Sequence, residues 1–265
     1  MIEQYWGLSQ RAFANTPDPA FVVRTEPFEE GFARLLYDVT ELRGGLSLVT
    51  GEIGCGKTML AAALRDKLEG TPHAVDVLPY SRVSPTQLLQ FLAQAVGIEK
   101  PPRAKPALVA ALGARLAAVH AGGRRPVLVV DEAQLATPSL LEEVRLLTNF
   151  EDRREKHLHV VLLGQPELRG RIAKAPQIDQ RVSLRFHLEP LDAAEVAAYV
   201  EGRLRVAGAQ RTIFDAAALS ALAERSGGVP RLINNLATQA LFVGAMRKAP
   251  GVDAELVTDV ADDRE

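Results

Sequence analysis

Cysteine is almost missing from this chain. Cys55 is the single one in 265 residues, so no disulfide can form within one chain, which fits a reducing compartment. Aromatic residues are scarce at 5%, and none interleave with the basic stretches to stack unpaired bases. No segment reaches the roughly 18 apolar residues that cross a bilayer. The N-terminus, Met1-Ile2-Glu3-Gln4-Tyr5-Trp6, lacks the basic-then-apolar order of a targeting signal. The expected location is therefore the cytoplasm, with no membrane span. Neither sign of charge prevails: the formal net charge is −2, so no global basic field demands nucleic acid, and only a local patch would. The remainder is ordinary for a globular chain, 47% apolar and 24% charged, long enough for one large domain or two smaller ones.

What is present is more specific. Gly51-Glu52-Ile53-Gly54-Cys55-Gly56-Lys57-Thr58 spells G-x-x-x-x-G-K-[ST]. The apolar run Leu46-Ser47-Leu48-Val49 enters it, and a helical pattern with Leu60, Leu64 and Leu68 on one face leaves it. Strand, glycine loop and helix in that order form a phosphate cradle. Glycines permit turns that aim successive N–H groups at phosphate oxygens, and the helix adds the positive end of its dipole. Lys57 is expected to reach the β- and γ-phosphates and the Thr58 hydroxyl to hold Mg²⁺. Met59 follows as the next nucleotide-contacting position. Cys55 matters there for its backbone N–H.

Around this motif, β-rich runs at 46–50, 74–78, 127–131, 159–163 and 183–188 alternate with helical patterns at 59–68, 85–96, 106–120 and 138–150. Val127-Leu128-Val129-Val130 is apolar without alternation, as in a central parallel strand covered on both faces. Thr137-Pro138 marks a helix start, with Leu140, Val144 and Leu147 as the buried stripe. The alternation predicts an α/β domain with a parallel sheet. Strand signals stop near Pro190, where a domain boundary is expected: residues 1–190 as a nucleotide-binding domain, 191–265 as a helical domain. Three helical segments follow, at 193–206, 215–226 and 230–248, with Asp192 and Asp215 as caps. The chain closes on an acidic tail, Asp253, Glu255, Asp259, Asp262, Asp263 and Glu265.

Other residues carry chemistry. Asp131 and Glu132 end an apolar strand, where open α/β sheets bind ligands. Asp131 is placed to hold Mg²⁺ and Glu132 to deprotonate a water aimed at the γ-phosphate. Gln165, at the tip of another strand, would sense the γ-phosphate or position that water; otherwise it is a turn residue. Gln180-Arg181-Val182-Ser183-Leu184-Arg185 offers two guanidiniums, Arg181 and Arg185. One of them, with Arg181 slightly preferred, would reach the phosphates of a neighbouring subunit. Failing that, both lie on a solvated edge. Gly227-Gly228-Val229-Pro230-Arg231 places a cation in the first turn of a helix, where it opposes the dipole and calls for an anionic partner. Arg169, Arg171, Lys174, Arg181 and Arg185 form one basic stretch, and Arg103, Lys105, Arg124 and Arg125 another. Either would suit nucleic-acid phosphates, or is a solvated surface.

Together these motifs resemble an AAA+ ATPase. More narrowly they resemble the ExeA/GspA-like family and its relatives among transposition ATPases of the TnsC/TniB type. The resemblance rests on Tyr5-Trp6-Gly7-Leu8, Ala12-Phe13, Thr16-Pro17-Asp18-Pro19, the glycine loop, Asp131-Glu132-Ala133-Gln134, Leu162-Leu163-Gly164-Gln165-Pro166-Glu167-Leu168, Gln180-Arg181 and Gly228-Val229-Pro230-Arg231. It implies a P-loop core with a five-stranded parallel sheet followed by an all-helical lid, and an N-terminal segment, residues 1–40, that passes near the adenine. It implies ATP and Mg²⁺ as ligands, with Pro230 and Arg231 at the nucleotide as second sensor, Gln165 as first sensor and Arg181 or Arg185 as the trans-acting finger. It implies assembly into a homo-oligomeric ring or filament. Secretion members of the family continue past the lid into a membrane span and a peptidoglycan-binding domain, whereas this chain ends in acidic residues. The expected output is therefore ATP-dependent loading on double-stranded DNA and recruitment of a transposase. Assembly of an envelope secretion machine is the alternative, and a non-hydrolysing nucleotide-binding scaffold a further one.

Overall fold

The computed structural model describes residues 2–16 and 18–263. Pro17, from the N-terminal motif, and Glu265, from the acidic tail, lie outside the described residues. In order the elements are α1 (Ile2–Trp6), a short 3-10 turn (Pro19–Phe21), α2 (Glu26–Tyr37), a π-helical turn (Asp38–Leu42), β1 (Leu46–Gly51), α3 (Lys57–Leu68), β2 (His73–Leu78), α4 (Pro85–Ala95), α5 (Lys105–Ala121), β3 (Arg125–Val130), a second 3-10 turn (Ala133–Leu135), α6 (Pro138–Leu147), β4 (His159–Gly164), α7 (Pro166–Ala173), α8 (Pro176–Asp179), β5 (Leu184–Leu188), α9 (Ala193–Val206), α10 (Ala216–Ser226), α11 (Pro230–Met246) and α12 (Ala254–Asp262). They group into two compact units. No helix among the described residues is long and apolar enough to cross a membrane.

The sheet unit comprises Gly31–Gly51 and Leu60–His187. Its five-stranded parallel sheet runs in the order β2-β3-β4-β1-β5. Register is set by pairs such as Val127 with His159, Leu46 with Val160 and Thr50 with Gly164. Every residue of β1 and β4 is buried, because helices cover both faces of a parallel sheet. Leu88, Leu112, Leu140 and Val144 present fully buried apolar stripes to this core, each contributing about 2 kcal/mol by transfer. The Thr137-Pro138 start signal holds, with Thr137 accepting from the Leu140 amide, and the structure adds a capping box of Ser84 with Gln87. The helix expected over 138–150 ends at Leu147, where the Thr148 hydroxyl turns back to the Arg145 carbonyl. The strand expected to 131 ends at Val130, which leaves Asp131 in the turn beyond.

At the end of the sheet where the strands begin, Asp38, Ser47, Ser183 and His159 form a polar knot. Ser47 Oγ donates to Asp38 Oδ2 over 2.6 Å and lies 2.7 Å from His159 Nε2. Ser183 Oγ donates to the same Asp38 oxygen over 2.9 Å. Asp38 is fully buried. Burial holds the His159 imidazolium down to a pKa of about 4, against the opposing pull of Asp38.

The helical unit comprises Met1–Glu30, Glu52–Met59 and Leu188–Glu265. Asp192 and Asp215 cap α9 and α10 as the sequence suggests. The acidic tail needs correction. Residues 254–262 form α12, with Asp253 as N-cap and Leu256, Val257 and Val260 buried. The acidic residues punctuate an amphipathic helix, so four long helices follow β5 rather than three. The N-terminal motif is core. Trp6 is 1% exposed, and its indole donates to the Leu241 carbonyl over 2.8 Å. A Cβ at Gly244 would come within 2.9 Å of the Trp6 ring, so glycine is what lets the ring lie on α11. Arg203, 3% exposed, donates to the carbonyls of Ala12 and Ala14 and to the Tyr199 hydroxyl, which fastens the segment after α1.

Candidate active site

The glycine loop follows β1. Gly54 and Gly56 have φ of +89° and +105°, a region that side chains rarely enter. A Cβ at Gly54 would also stand 2.7 Å from Arg231 Cβ and 3.1 Å from Val229 Cγ1. The loop is therefore packed directly on the first turn of α11, and the Arg231 amide donates to the Gly54 carbonyl over 3.3 Å. Pro230 opens that helix, and the exposed Arg231 guanidinium makes no ion pair among the described residues. Neither α3 nor α11 has an acidic residue in its first turn, so both helix N-termini keep their positive potential. Lys57 is 7% exposed, and its Nζ donates to the Glu52 carbonyl over 2.8 Å. Thr58 is exposed. Burial pushes the Cys55 thiol up from its ordinary pKa against the pull of Lys57, so it stays protonated and unreactive.

The second group lies past the C-terminal ends of β3 and β4. Asp131 is 4% exposed, and its Oδ1 accepts the Glu132 amide over 2.8 Å. Glu132 has left-handed backbone, φ +52°, which costs a residue with a side chain about 1 kcal/mol or more. Its surroundings enforce it. The fully buried Ser81 donates to the Glu132 carbonyl over 2.6 Å. Gln134 Nε2 donates to Glu132 Oε2 over 2.7 Å, and Gln134 Oε1 accepts from the Gln165 amide over 3.2 Å. A Cβ at Gly164 would stand 3.1 Å from Gln134 Oε1 and 2.6 Å from Leu168, so only glycine admits this bridge. Arg171 clamps the turn from outside, donating to the carbonyls of Gln134 and Ala136. The Glu132 carboxylate is thus held in one orientation by Gln134, on a backbone fixed by Ser81. The Asp131 carboxylate in the sheet unit and the Thr58 hydroxyl in the helical unit are each a hard oxygen donor of the kind Mg²⁺ takes.

Residues 41–172 match the AAA domain family. The chain belongs to the AAA+ family. It is 38% identical over 253 residues to general secretion pathway protein A of Aeromonas hydrophila, over 93% of this chain and 45% of that protein. The chain thus spans less than half the length of this relative. Its fold is similar to the Aeropyrum pernix ORC2 protein, solved as ADPNP-ADP complexes, with a TM-score of 0.73 and 18% identity over 96% of this chain and 71% of that one. It is also similar to the Aeropyrum pernix ORC1 protein in complex with DNA, with a TM-score of 0.72 and 18% identity over 97% of this chain and 70% of that one.

Within this AAA+ chain the two candidate finger arginines differ. Arg185 is engaged at home: its Nη2 donates to the Asp179 carbonyl over 2.6 Å and to Asp179 Oδ1 over 2.8 Å. Arg181 is half-buried and makes no ion pair among the described residues. No hydrogen bond among them links either arginine to Glu132 or Gln165. Sequence reasoning missed Ser81, Gln134 and Arg171. Gln134 stands inside the Asp131-Glu132-Ala133-Gln134 motif, and its spacing of two from Glu132 is the available signal. Arg171 reads in sequence only as part of a basic stretch.

Proposed function

We propose that this protein is an ATP hydrolase that works as a homo-oligomeric switch and assists assembly of an envelope secretion machine. The observation that carries the hydrolase reading is the Gln134 bridge, which orients the Glu132 carboxylate, while the Glu132 amide donates to the buried Asp131. In this reading the backbone from Gly51 to Met59 cradles the phosphates, and Lys57 leaves the Glu52 carbonyl to bind them. Arg231 adds a second cation at the loop. Glu132 takes the proton of the attacking water, and Gln165 positions that water or reports on the γ-phosphate. Arg181 from a neighbouring copy stabilises the charge that develops on the phosphoryl oxygens. Mg²⁺, when bound, neutralises phosphate charge, and Thr58 and Asp131 are the residues that would hold it.

The similarity to general secretion pathway protein A favours the secretion output. The alternative, DNA-bound regulation of a transposase, draws on the fold shared with ORC1 in complex with DNA. Its electrostatic support thins in the folded chain. Arg171 and Arg185 are engaged internally, Lys105 pairs with Glu143 and Arg125 with Glu155. The test uses the Glu132→Gln protein. It should bind ATP, accumulate as a larger assembly and turn over at least about a hundredfold slower, the scale of a general base. Equal turnover by wild type and variant would remove Glu132 from the role of base, and no turnover by wild type would leave only a non-hydrolysing scaffold. ATP-dependent binding of duplex DNA at low salt would shift the output to transposition.

A further inference from the structure

A cluster at the opposite end of the sheet unit has no part in ATP chemistry. His120 lies in the last turn of α5, before β3, and His157 stands just before β4. Both mark where strands begin, about 20 Å from the carboxylates at the strand ends. Between them hangs a small hairpin pinned by the bridge of Glu151 with Lys156. Asp152 lies in it. The Arg154 and Glu155 amides donate to Asp152 Oδ1 over 2.7 and 2.9 Å, which leaves Oδ2 turned toward the two imidazoles. His120 Nε2 is 3.8 Å and His157 Nε2 3.6 Å from that Oδ2, and the rings stack at 4.5 Å with a 34° tilt. These distances are too long for hydrogen bonds. One donor atom from each of the three residues lies within 4.8 Å of the others. His120 Nδ1 is also buried without a hydrogen-bond partner.

We propose that His120, Asp152 and His157 bind a divalent transition metal ion of the zinc type. Two imidazoles and one carboxylate suit Zn²⁺ or Co²⁺, whereas Mg²⁺ prefers oxygen donors alone. Metal–ligand bonds near 2 Å place tetrahedral donors about 3.3 Å apart, so each side chain here moves by less than about 1 Å. Asp152 and His120 stand in the forms that bind metal. The backbone amides hold Asp152 down to a pKa of about 2, and burial, with Arg125 nearby, keeps His120 neutral. Glu155 Oε2, 3.4 Å from His120 Nε2, competes with water for the fourth position and is now held by Arg125, while Arg43 holds Oε1. The two amides on Asp152 act as the outer layer that such sites use to fix a ligand. A bound ion would tie the end of α5 to the hairpin and stabilise the sheet unit by mass action.

The test titrates untagged, chelator-stripped protein with Zn²⁺ in excess Mg²⁺ and follows Co²⁺ absorption in parallel. One equivalent should bind, with visible Co²⁺ bands of a nitrogen- and oxygen-ligated site and a higher unfolding midpoint. His157→Ala and Asp152→Asn should each weaken Zn²⁺ by at least about a hundredfold. His73→Ala, a histidine outside the cluster, and Lys57→Ala should bind as wild type does. The proposal is overturned by the absence of a stoichiometric site, by Co²⁺ bands that do not report imidazole ligation, or by equal loss in His73→Ala. If a ligand variant fails to fold, the wild-type Co²⁺ spectrum and midpoint shift still decide.

Discussion

Gln134 donates to Glu132 Oε2 over 2.7 Å while its own side-chain carbonyl accepts the Gln165 amide, so one side chain sets both the proposed base and the strand tip beside it. Gln134→Ala removes the bridge and leaves the carboxylate present but unoriented. The expected result is a kcat lower by about tenfold to a hundredfold with KM for ATP little changed, since orientation acts in the chemical step. Steady-state kinetics checks this. A rise in KM with kcat intact would move Gln134 out of the hydrolytic step.

Arg181 and Arg185 should separate cleanly. Arg181→Ala is expected to lower turnover by about a thousandfold or more, within the range a trans-acting arginine supplies. Arg185→Ala loses an exposed pair with Asp179 worth at most about 1 kcal/mol and should hydrolyse ATP nearly as wild type does. Mixing inactive Arg181→Ala with inactive Glu132→Gln should restore activity, because some interfaces then join an intact base to an intact arginine. A mixture as inactive as its parts contradicts the assignment.

The loop tolerates no side chain at Gly54. Gly54→Ala combines positive φ with a collision against Arg231 and Val229. The expected outcome is loss of most affinity for a fluorescent ATP analogue, with circular dichroism unchanged. Arg231→Ala should weaken the same affinity less and leave the loop intact. Wild-type affinity in Gly54→Ala would show that the loop does not bind phosphate in this conformation.

The buried knot at His159 predicts an acid sensitivity. Its imidazole has a pKa of about 4 when folded against 6.5 when unfolded. The unfolded chain therefore binds the extra proton first. Stability is fully present above about pH 6.5 and falls as pH drops toward 4, by on the order of 3 kcal/mol from this group. Urea unfolding of wild type and His159→Gln at pH 7 and pH 4.5 reads the difference. The variant should lose distinctly less on acidification; an identical loss would place the acid sensitivity elsewhere.

Much of this arrangement is legible in the sequence, and the reasons differ by residue. The strand Val127–Val130 and the stripe Leu140, Val144, Leu147 announce themselves because two-sided burial and helical spacing leave simple patterns. The glycine loop is legible because its backbone demands glycine at fixed offsets. The carboxylate support is not. Ser81 and Arg171 reach Glu132 and its turn from other elements, and nothing local marks a long-range hydrogen bond. Helix α12 is hidden by its composition: Asp259 and Asp262 face outward while Leu256, Val257 and Val260 carry the fold. The basic stretch misleads for the same reason, since charge in sequence does not reveal that Arg171 holds backbone carbonyls.

The most direct measurement is ATP turnover per protomer as the wild-type protein is diluted. The account predicts that turnover falls steeply once copies separate and returns when inactive Glu132→Gln protein, which still supplies Arg181, is added. Constant turnover across the whole dilution range, or none at any concentration, would contradict it.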